Sequence, residues 1–162
     1  MASAIEKTGY TDRFRVEAGS KVELEKLDPA ATPGVKDKST ARRLLADCHE
    51  ALADLQDVLY AQSKHAVLFV VQAMDTGGKD GAIRHVFGPL NPQGVRVTGF
   101  KKPTAAELAH DFLWRVHREC PARGMIRVFN RSHYEDVLVP RVHGDIGKTA
   151  VKRRLEHINR FE

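Results

Sequence analysis

Cysteine is scarce in this chain of 162 residues, which contains only Cys48 and Cys120. Both lie in segments that we predict to be helical, and neither has a second Cys or a His at the spacing of metal ligands. The pattern excludes a disulfide framework and gives no support for a zinc site. We therefore interpret both residues as reduced thiols that fill space.

The sequence also lacks long apolar runs. None approaches the ~20 residues that a membrane-spanning helix needs, and the N-terminus lacks the basic and then apolar layout of a secretory signal. The apolar fraction of 42% argues against disorder, and the length suits one domain with a hydrophobic core. We expect one compact, soluble, cytoplasmic unit that does not enter a membrane.

Acidic residues are few in the central third of the chain. From Lys79 to Arg131 there are ten Lys and Arg against four Asp and Glu, a net charge of +6, so the remainder of this +5 chain carries −1. A solvated basic face is the ordinary explanation for such a run. An anionic partner is the alternative, and a nucleotide, polyphosphate or nucleic acid would fit it.

The chain divides by composition into an arm and a core. Residues 1–40 are rich in turn formers and charge, so we expect an irregular N-terminal arm, with the core in residues 41–162. A helix is predicted to begin at Ser39 or Thr40, either of which suits an N-cap. Its apolar stripe at helical spacing is Leu44, Leu45, Cys48, Leu52, Leu55 and Leu59.

Strands and helices alternate through the core. Apolar, β-branched runs predict strands at Ala66–Met74, Val95–Phe100 and Met125–Asn130. A short helix should follow the first strand. A longer one should open at a capping box of Thr104 and Glu107 and run on through Val116, and a last one should end the sequence. This alternation predicts an α/β fold with a parallel sheet. Trp114, among apolar neighbours, is expected in the core.

A glycine-rich loop from Ala73 to Gly81 joins the first strand to its helix. In a phosphate loop, glycines let backbone N–H groups turn inward, the helix N-terminus adds partial positive charge, and a Lys reaches the phosphates. Gly77, Gly78 and Lys79 suit these roles. The alternative is a plain glycine-rich turn, but the buried strand before it and the helix after it favour the phosphate loop.

The loop departs from the usual G-x4-G-K-[ST] pattern at two positions, with Ala73 at the first Gly and Asp80 at the Ser/Thr. Asp80 lacks the hydroxyl that normally helps to hold Mg²⁺. Asp75 is the candidate replacement, because a carboxylate beside phosphates is repelled unless a cation bridges them or it handles a proton. We expect metal ligation first and general-base chemistry second.

A second polar cluster, from Asn130 to Asp136, follows the third strand. Ligands of α/β sheets bind outside the carboxyl ends of strands, so this cluster should face the same crevice as the loop. Arg131 is a candidate phosphate clamp, and Glu135 and Asp136 are candidate metal or base residues. An exposed turn with internal ion pairs is the alternative. Lys101 follows the second strand and is a candidate guide for an anionic chain.

These residues together resemble the polyphosphate kinase 2 family. The matching segments are QAMDTGGKDG, NPQGVRVTGFKKPTAAELAHDFLWRVH and FNRSHYEDVLV. The resemblance implies a thymidylate-kinase-like P-loop NTPase fold in three layers, and Mg²⁺-dependent phosphoryl transfer, with Mn²⁺ as an alternative ion. It implies inorganic polyphosphate and a nucleotide (AMP, ADP or ATP) as partners rather than nucleic acid. The sequence of the third segment is most similar to that of the subgroup that phosphorylates AMP and ADP.

The resemblance also implies roles for individual residues. The implied catalytic residues are Asp75, Lys79 and Arg131. The implied phosphate- and nucleotide-binding residues are Thr76, Gly77, Gly78, Lys79, Asp80, Gly81, Lys101, Asn130 and Arg131. The implied metal ligands are Asp75, Asp136 and Glu135.

The sequence departs from the family in two respects. Pro140 stands where an aliphatic residue is usual, and we expect it to disturb only local pairing. Members of the family continue with further strands and a basic helical lid, so we expect an incomplete core, truncated at its C-terminus, or a core covered by self-association as a homo-oligomer. Two rival functions stay open, namely an ATP-dependent nucleotide kinase and an inactive polyanion-binding fragment.

Overall fold

The structure, a computed structural model, describes residues 9–162. Contacts within the chain define one unit that ends at Asp54 and a second unit that spans Leu55–Glu162. In the first unit lie α1 (Tyr10–Phe14), a 3-10 turn (Leu24–Lys26) and the first part of α2 (Lys38–Gln62). The expected division after residue 40 stays a prediction.

Helix α2 begins two or three residues earlier than expected. Asp37, not Ser39 or Thr40, caps it: the Asp37 carboxylate accepts hydrogen bonds from the Thr40 amide at 2.8 Å and from the Ser39 hydroxyl at 2.6 Å. These hydrogen bonds, led by the one from Ser39, lower the pKa of Asp37. An acceptor placed before the first turn satisfies amides that have no partner inside the helix. The sequence pattern placed this acceptor two or three residues too late.

The prediction of a buried apolar stripe on α2 is only partly correct. Leu55 is 65% exposed, whereas the neighbouring Gln56 is 2% exposed. The Gln56 side chain accepts from the Asn91 amide at 3.0 Å and donates to the Asn91 carbonyl at 2.9 Å. Burial of an amide that makes both hydrogen bonds costs little, so a polar residue replaces a leucine as the buried contact.

The second unit holds a parallel sheet of three strands in the order β1-β3-β2, as the alternation predicted. The strands are β1 (Val67–Val71), β2 (Val95–Gly99) and β3 (Ile126–Asn130). All three are shorter than the runs from which they were predicted. In register, Val71 and Gly99 both pair with Asn130. The carboxyl ends of the three strands therefore meet at one edge.

The second unit also holds the end of α2 and five further helices. They are α3 (Lys79–Phe87), α4 (Ala105–Leu108), α5 (Trp114–His117), α6 (Glu135–His143) and α7 (Lys148–Phe161). Among the described residues, no helix has the length and apolar character that crossing a bilayer requires.

The long helix expected after Thr104 was wrong. The capping box forms as predicted, but α4 ends after one turn, and α5 is a separate helix. The reason is Asp111, whose carboxylate accepts from the Leu113 amide at 2.9 Å while its carbonyl accepts from the Trp114 amide at 2.9 Å. Local side-chain acceptors of this kind compete with helix propagation.

Helix α6 was not predicted, and Pro140 lies inside it. The expectation that Pro140 disturbs local pairing is corrected, because the segment is helical and has no strand partner to lose. Proline removes its own N–H from the helix, and its ring crowds the carbonyl four residues earlier, which is that of Asp136 and accepts from Arg154 instead. The helix survives because its buried face, led by Val137 at 2% exposure, packs into the core.

The core lies around β3. Val128 and Phe129 are fully buried, and the rings of Phe100 and Phe129 pack edge to face with centroids 4.8 Å apart. The core cluster is Phe100, Leu113, Val116, Phe129, Val137, Val151 and Ile158. Trp114 is outside this cluster, which corrects its expected place, since its half-buried ring stacks on His110 at 4.1 Å.

Candidate phosphate-binding site

The glycine-rich loop turns sharply between β1 and α3. The Gly77 amide donates to the Met74 carbonyl at 3.0 Å, and a Cβ at Gly77 would lie 2.9 Å from that carbonyl oxygen. Gly78 caps α3 with φ +81°, and Thr76 has φ +66°. Positive φ is costly for a residue with a side chain. The loop thus has the conformation for which its glycines were expected.

Lys79, the first residue of α3, lies between two carboxylates. Its Nζ is 3.8 Å from Asp75 Oδ1 and 3.6 Å from Asp80 Oδ2. The Lys79 side chain is 9% exposed, whereas those of Asp75 and Asp80 are 79% and 74% exposed. A nearly buried ammonium thus faces a pair of solvated acids at the start of a helix.

Arg131 joins this group from the end of β3. Its guanidinium donates to Asp75 Oδ1 in a short contact, and its amide donates to the Val71 carbonyl at 3.1 Å. Arg131 has φ +61°, a conformation that places its side chain toward the loop at some cost in backbone strain. Asp75, Lys79 and Arg131, the three expected catalytic residues, therefore lie together.

Asn130 ties the end of β3 to the start of α3. The side-chain amide of Asn130 donates to Asp80 Oδ1 at 2.6 Å. That hydrogen bond is the largest cause of a lowered pKa for the Asp80 carboxyl, and the charge of Lys79 adds to it. The buried Oδ1 of Asn130 has no hydrogen-bond partner in the described part of the chain.

The second polar cluster is divided between two sets of contacts. Glu135 lies near the loop: its carboxylate accepts from the side-chain amide of Gln72 at 2.6 Å and lies 3.8 Å from Arg131 Nη1. Asp136, one residue later, instead pairs with Arg115 at 2.8 Å. The two carboxylates therefore point to different partners.

The three expected metal ligands do not converge. Across residues 9–162, the structure forms no group of three or more His, Cys, Asp and Glu side chains suited to hold a metal ion. Asp75 and Glu135 both contact Arg131, while the Asp136 side chain is 12% exposed and held by Arg115.

A cavity of about 680 Å³ opens beside Arg131 at the carboxyl edge of the sheet. It is bounded by the loop after β2, by α4 and α6 and by part of α7. Its cationic lining residues are Lys101, Lys102, Arg115, Arg131 and Arg154, and its apolar ones include Phe100, Leu108, Phe112, Val139, Pro140 and Ile146. Of the expected phosphate- and nucleotide-binding residues, Lys101 and Arg131 line this cavity.

Sequence reasoning missed Arg115, Arg154 and Gln72 as residues that shape the site. The signal for Arg115 was present, because it is the one charged residue in the apolar run Phe112–Val116, and a charge in such a run needs a buried partner. No comparable signal marks Gln72 or Arg154, whose partners are remote in sequence.

Comparison with known proteins gives a consistent result. The family model described as polyphosphate kinase 2 (PPK2) matches residues 35–162. An ADP-polyphosphate phosphotransferase of Rhodopseudomonas palustris is 54% identical over 136 residues, which are 84% of this chain and 47% of that protein. An AMP/ADP-polyphosphate phosphotransferase of Meiothermus ruber is 48% identical over 151 residues, or 93% of this chain and 57% of that protein.

A solved structure agrees with these relatives. The crystal structure of polyphosphate kinase 2 from Arthrobacter aurescens TC1 is 45% identical, superposes with a TM-score of 0.86, and matches 93% of this chain and 54% of that one. This chain spans about half the length of the two curated relatives named above. The expected P-loop fold with a parallel sheet is thereby confirmed.

Proposed function

Because this chain belongs to the polyphosphate kinase 2 family, we propose that it acts in phosphoryl transfer between inorganic polyphosphate and a nucleotide, interconverting AMP or ADP with ADP or ATP. The observation that carries the proposal is the convergence of Lys79, Arg131 and Asp75 at the N-terminus of α3. Cations and helix amides in this arrangement are what a phosphoanhydride requires.

The loop is proposed to hold the phosphoryl group that moves. The amides of residues 76–81 and the Lys79 ammonium would bind its oxygens, and the Arg131 guanidinium would balance the charge that spreads over them during transfer. Lys79 and Arg131 are already held by carboxylates in the structure. Phosphate binding would exchange those carboxylates for phosphate oxygens without moving the cations far.

The cavity beside Arg131 is proposed to hold the nucleotide. Polyphosphate has no apolar part, whereas a nucleoside needs an apolar wall for its base and cations for its phosphates. The cavity provides Phe100, Leu108 and Val139 for the former and Lys101 with Arg131 for the latter. Arg131, which contacts Asp75 and lines the cavity, would thus stand between donor and acceptor.

A divalent cation, Mg²⁺ in our proposal with Mn²⁺ as a substitute, fits the donor set at the loop. The exposed carboxylates of Asp75 and Asp80 and the unpartnered Oδ1 of Asn130 are oxygen donors, and Mg²⁺ typically takes one or two protein carboxylates and completes its shell with water and phosphate. When bound, the ion supplies charge neutralisation across the phosphates. Glu135 would be an outer ligand, whereas Asp136 is paired with Arg115.

Three wider expectations remain proposals. We propose an arm in residues 1–40 and a core in residues 41–162, and a cytoplasmic protein that does not bind nucleic acid. We also propose self-association, which is supported by apolar side chains exposed on the two outer strands of the sheet, Phe69 at 38% and Val97 at 46%.

Substitution of Lys79 tests the proposed function. In Lys79→Ala the rate of ATP formation from long-chain polyphosphate and ADP should fall at least about a hundredfold, which is the usual effect of removing one preorganised charge stabiliser. The matched control is Lys148→Ala, which removes an exposed lysine at the start of α7 and should leave the rate unchanged. Near-normal turnover in Lys79→Ala would refute the assignment.

Exchange of the donor tests the substrate class. The wild-type chain is supplied with Mg²⁺ and either long-chain polyphosphate with AMP or ADP, or ATP with AMP. Transfer from polyphosphate supports the proposal, whereas transfer from ATP alone indicates a nucleotide kinase. Polyphosphate binding that weakens steeply with salt, without any transfer, indicates a polyanion-binding module.

A further inference from the structure

The side chain of Arg115 is buried in the wall of the cavity, where an arginine is unusual. It is 7% exposed, although it belongs to α5, a helix of one turn. Arginine is almost never buried unless its guanidinium is paired. The partners of Arg115 therefore indicate why it is there.

Arg115 joins two segments that bound the cavity. One guanidinium nitrogen donates to the Lys101 carbonyl at 2.8 Å, in the loop after β2. The other donates to Asp136 Oδ2 at 2.8 Å, in the first turn of α6. The planar group also lies 5.4 Å from the ring centroid of Phe100. One side chain thus fixes the positions of Lys101, Phe100 and the start of α6.

Asp136 is held from a second direction as well. Arg154 of α7 donates to the Asp136 carbonyl in a short contact, and its guanidinium lies 5.1 Å from the ring centroid of Phe112. Asp136 follows Glu135 directly, and Glu135 contacts Arg131 at 3.8 Å. Glu135, which contacts Arg131, is therefore held in place, because the next residue of α6, Asp136, is bound at both its carboxylate and its carbonyl.

We propose that Arg115 is a positioning residue that sets the width and orientation of the nucleotide cavity by holding the loop after β2 against α6, with Asp136 as its fixed partner. A lysine does not replace it, because one ammonium lacks the planar, two-pronged donor geometry that reaches both acceptors. The inference rests on the proposed function in that the cavity is the one assigned to the nucleotide. It gives Asp136 a structural role in place of the metal ligation expected from the sequence.

Removal of the ion pair as a unit separates positioning from stability. The variants are Arg115→Met, Asp136→Leu and the double variant of both, with Arg118→Met as the matched control. Arg118 follows Arg115 by one helical turn, but it lies over the Trp114 ring and does not line the cavity beside Arg131. The readouts are the thermal midpoint of unfolding and the dissociation constant for ADP, measured by calorimetry well below each midpoint.

Each single variant leaves a buried charge unpaired and should lower the thermal midpoint, whereas the double variant replaces the pair with apolar side chains and should recover it. ADP affinity should nevertheless stay roughly tenfold or more weakened in the double variant, because the loop after β2 is no longer held in place. Arg118→Met should bind ADP as the wild type does. Wild-type ADP affinity in the double variant overturns the inference.

Three further outcomes also bear on the inference. If the double variant does not regain stability, the Arg115→Lys variant provides the test, because it keeps a positive charge opposite Asp136. Wild-type ADP affinity in Arg115→Lys overturns the inference. Weakened ADP affinity with a wild-type thermal midpoint supports the inference. A wild-type chain that binds ADP but transfers no phosphoryl group removes the proposed function and leaves this test intact. A wild-type chain that binds polyphosphate but not ADP overturns both the inference and the proposed function, whereas wild-type ADP affinity in the double variant of a chain that transfers phosphoryl groups overturns the inference alone.

Discussion

Replacement of Gly77 by alanine tests whether the loop geometry is a requirement of the structure. The added Cβ would lie 2.9 Å from the Met74 carbonyl oxygen and 3.1 Å from Ala73 Cβ. The nearer atom belongs to the backbone, so the loop itself must shift to relieve the contact. Overpacking of this kind costs about 1–3 kcal/mol. For a chain of this size, that corresponds to a fall in the thermal midpoint of roughly 2–12 °C.

The same change at Gly81 provides the matched control. A Cβ at Gly81 meets no atom within 4 Å, and the residue lies in the first turn of α3. Alanine is the better helix former by up to about 1 kcal/mol, so Gly81→Ala should raise the thermal midpoint. Two identical substitutions four residues apart are thus expected to shift stability in opposite directions.

The assay is thermal unfolding followed by circular dichroism, with and without long-chain polyphosphate. Gly77→Ala should also lose part of the stabilisation that polyphosphate gives the wild type, because a ligand that binds only the folded state stabilises it by an amount that grows with the logarithm of its affinity. An unchanged midpoint in Gly77→Ala, or an equal fall in both variants, would show that the close approach to Met74 does not constrain the loop.

Two other predictions concern the core and the titration of the loop. Phe129→Ala removes a fully buried ring and should lower the free energy of unfolding by about 3–5 kcal/mol in urea denaturation; a loss below 1 kcal/mol would contradict its central place. Asn130→Ala should raise the pKa of Asp80 toward its ordinary value, as followed by carboxyl NMR, because the Asn130 hydrogen bond is the main cause of the lowered pKa. Since the folded pKa is the lower one, the stabilisation is present above the unfolded pKa and is lost as pH falls through the folded pKa. This pH dependence should weaken in Asn130→Ala, since the charge of Lys79 still lowers the pKa of Asp80, and an unchanged titration would contradict the assignment.

The sequence motifs predicted only in part which residues of the candidate site lie together. The sequence grouped Asp75 with Lys79 because both lie in one loop, and it placed Arg131 at the same sheet edge because parallel strands end together. The structure has all three in contact. By contrast, Asp136 was grouped with Glu135 as a metal ligand because both follow the third strand and because the family resemblance implies it, yet the two carboxylates have different partners.

The sequence predicted those elements whose signals lie within a few neighbouring residues. The strands were visible as apolar runs, the capping box of Thr104 and Glu107 as a spacing of three, and the phosphate loop as glycines between a strand and a helix. Tertiary structure decided the rest: the order β1-β3-β2, the helix that tolerates Pro140 and the burial of Arg115 between Lys101 and Asp136. These features depend on which distant residues meet, and the energy of such a contact exists only once the chain between them has folded.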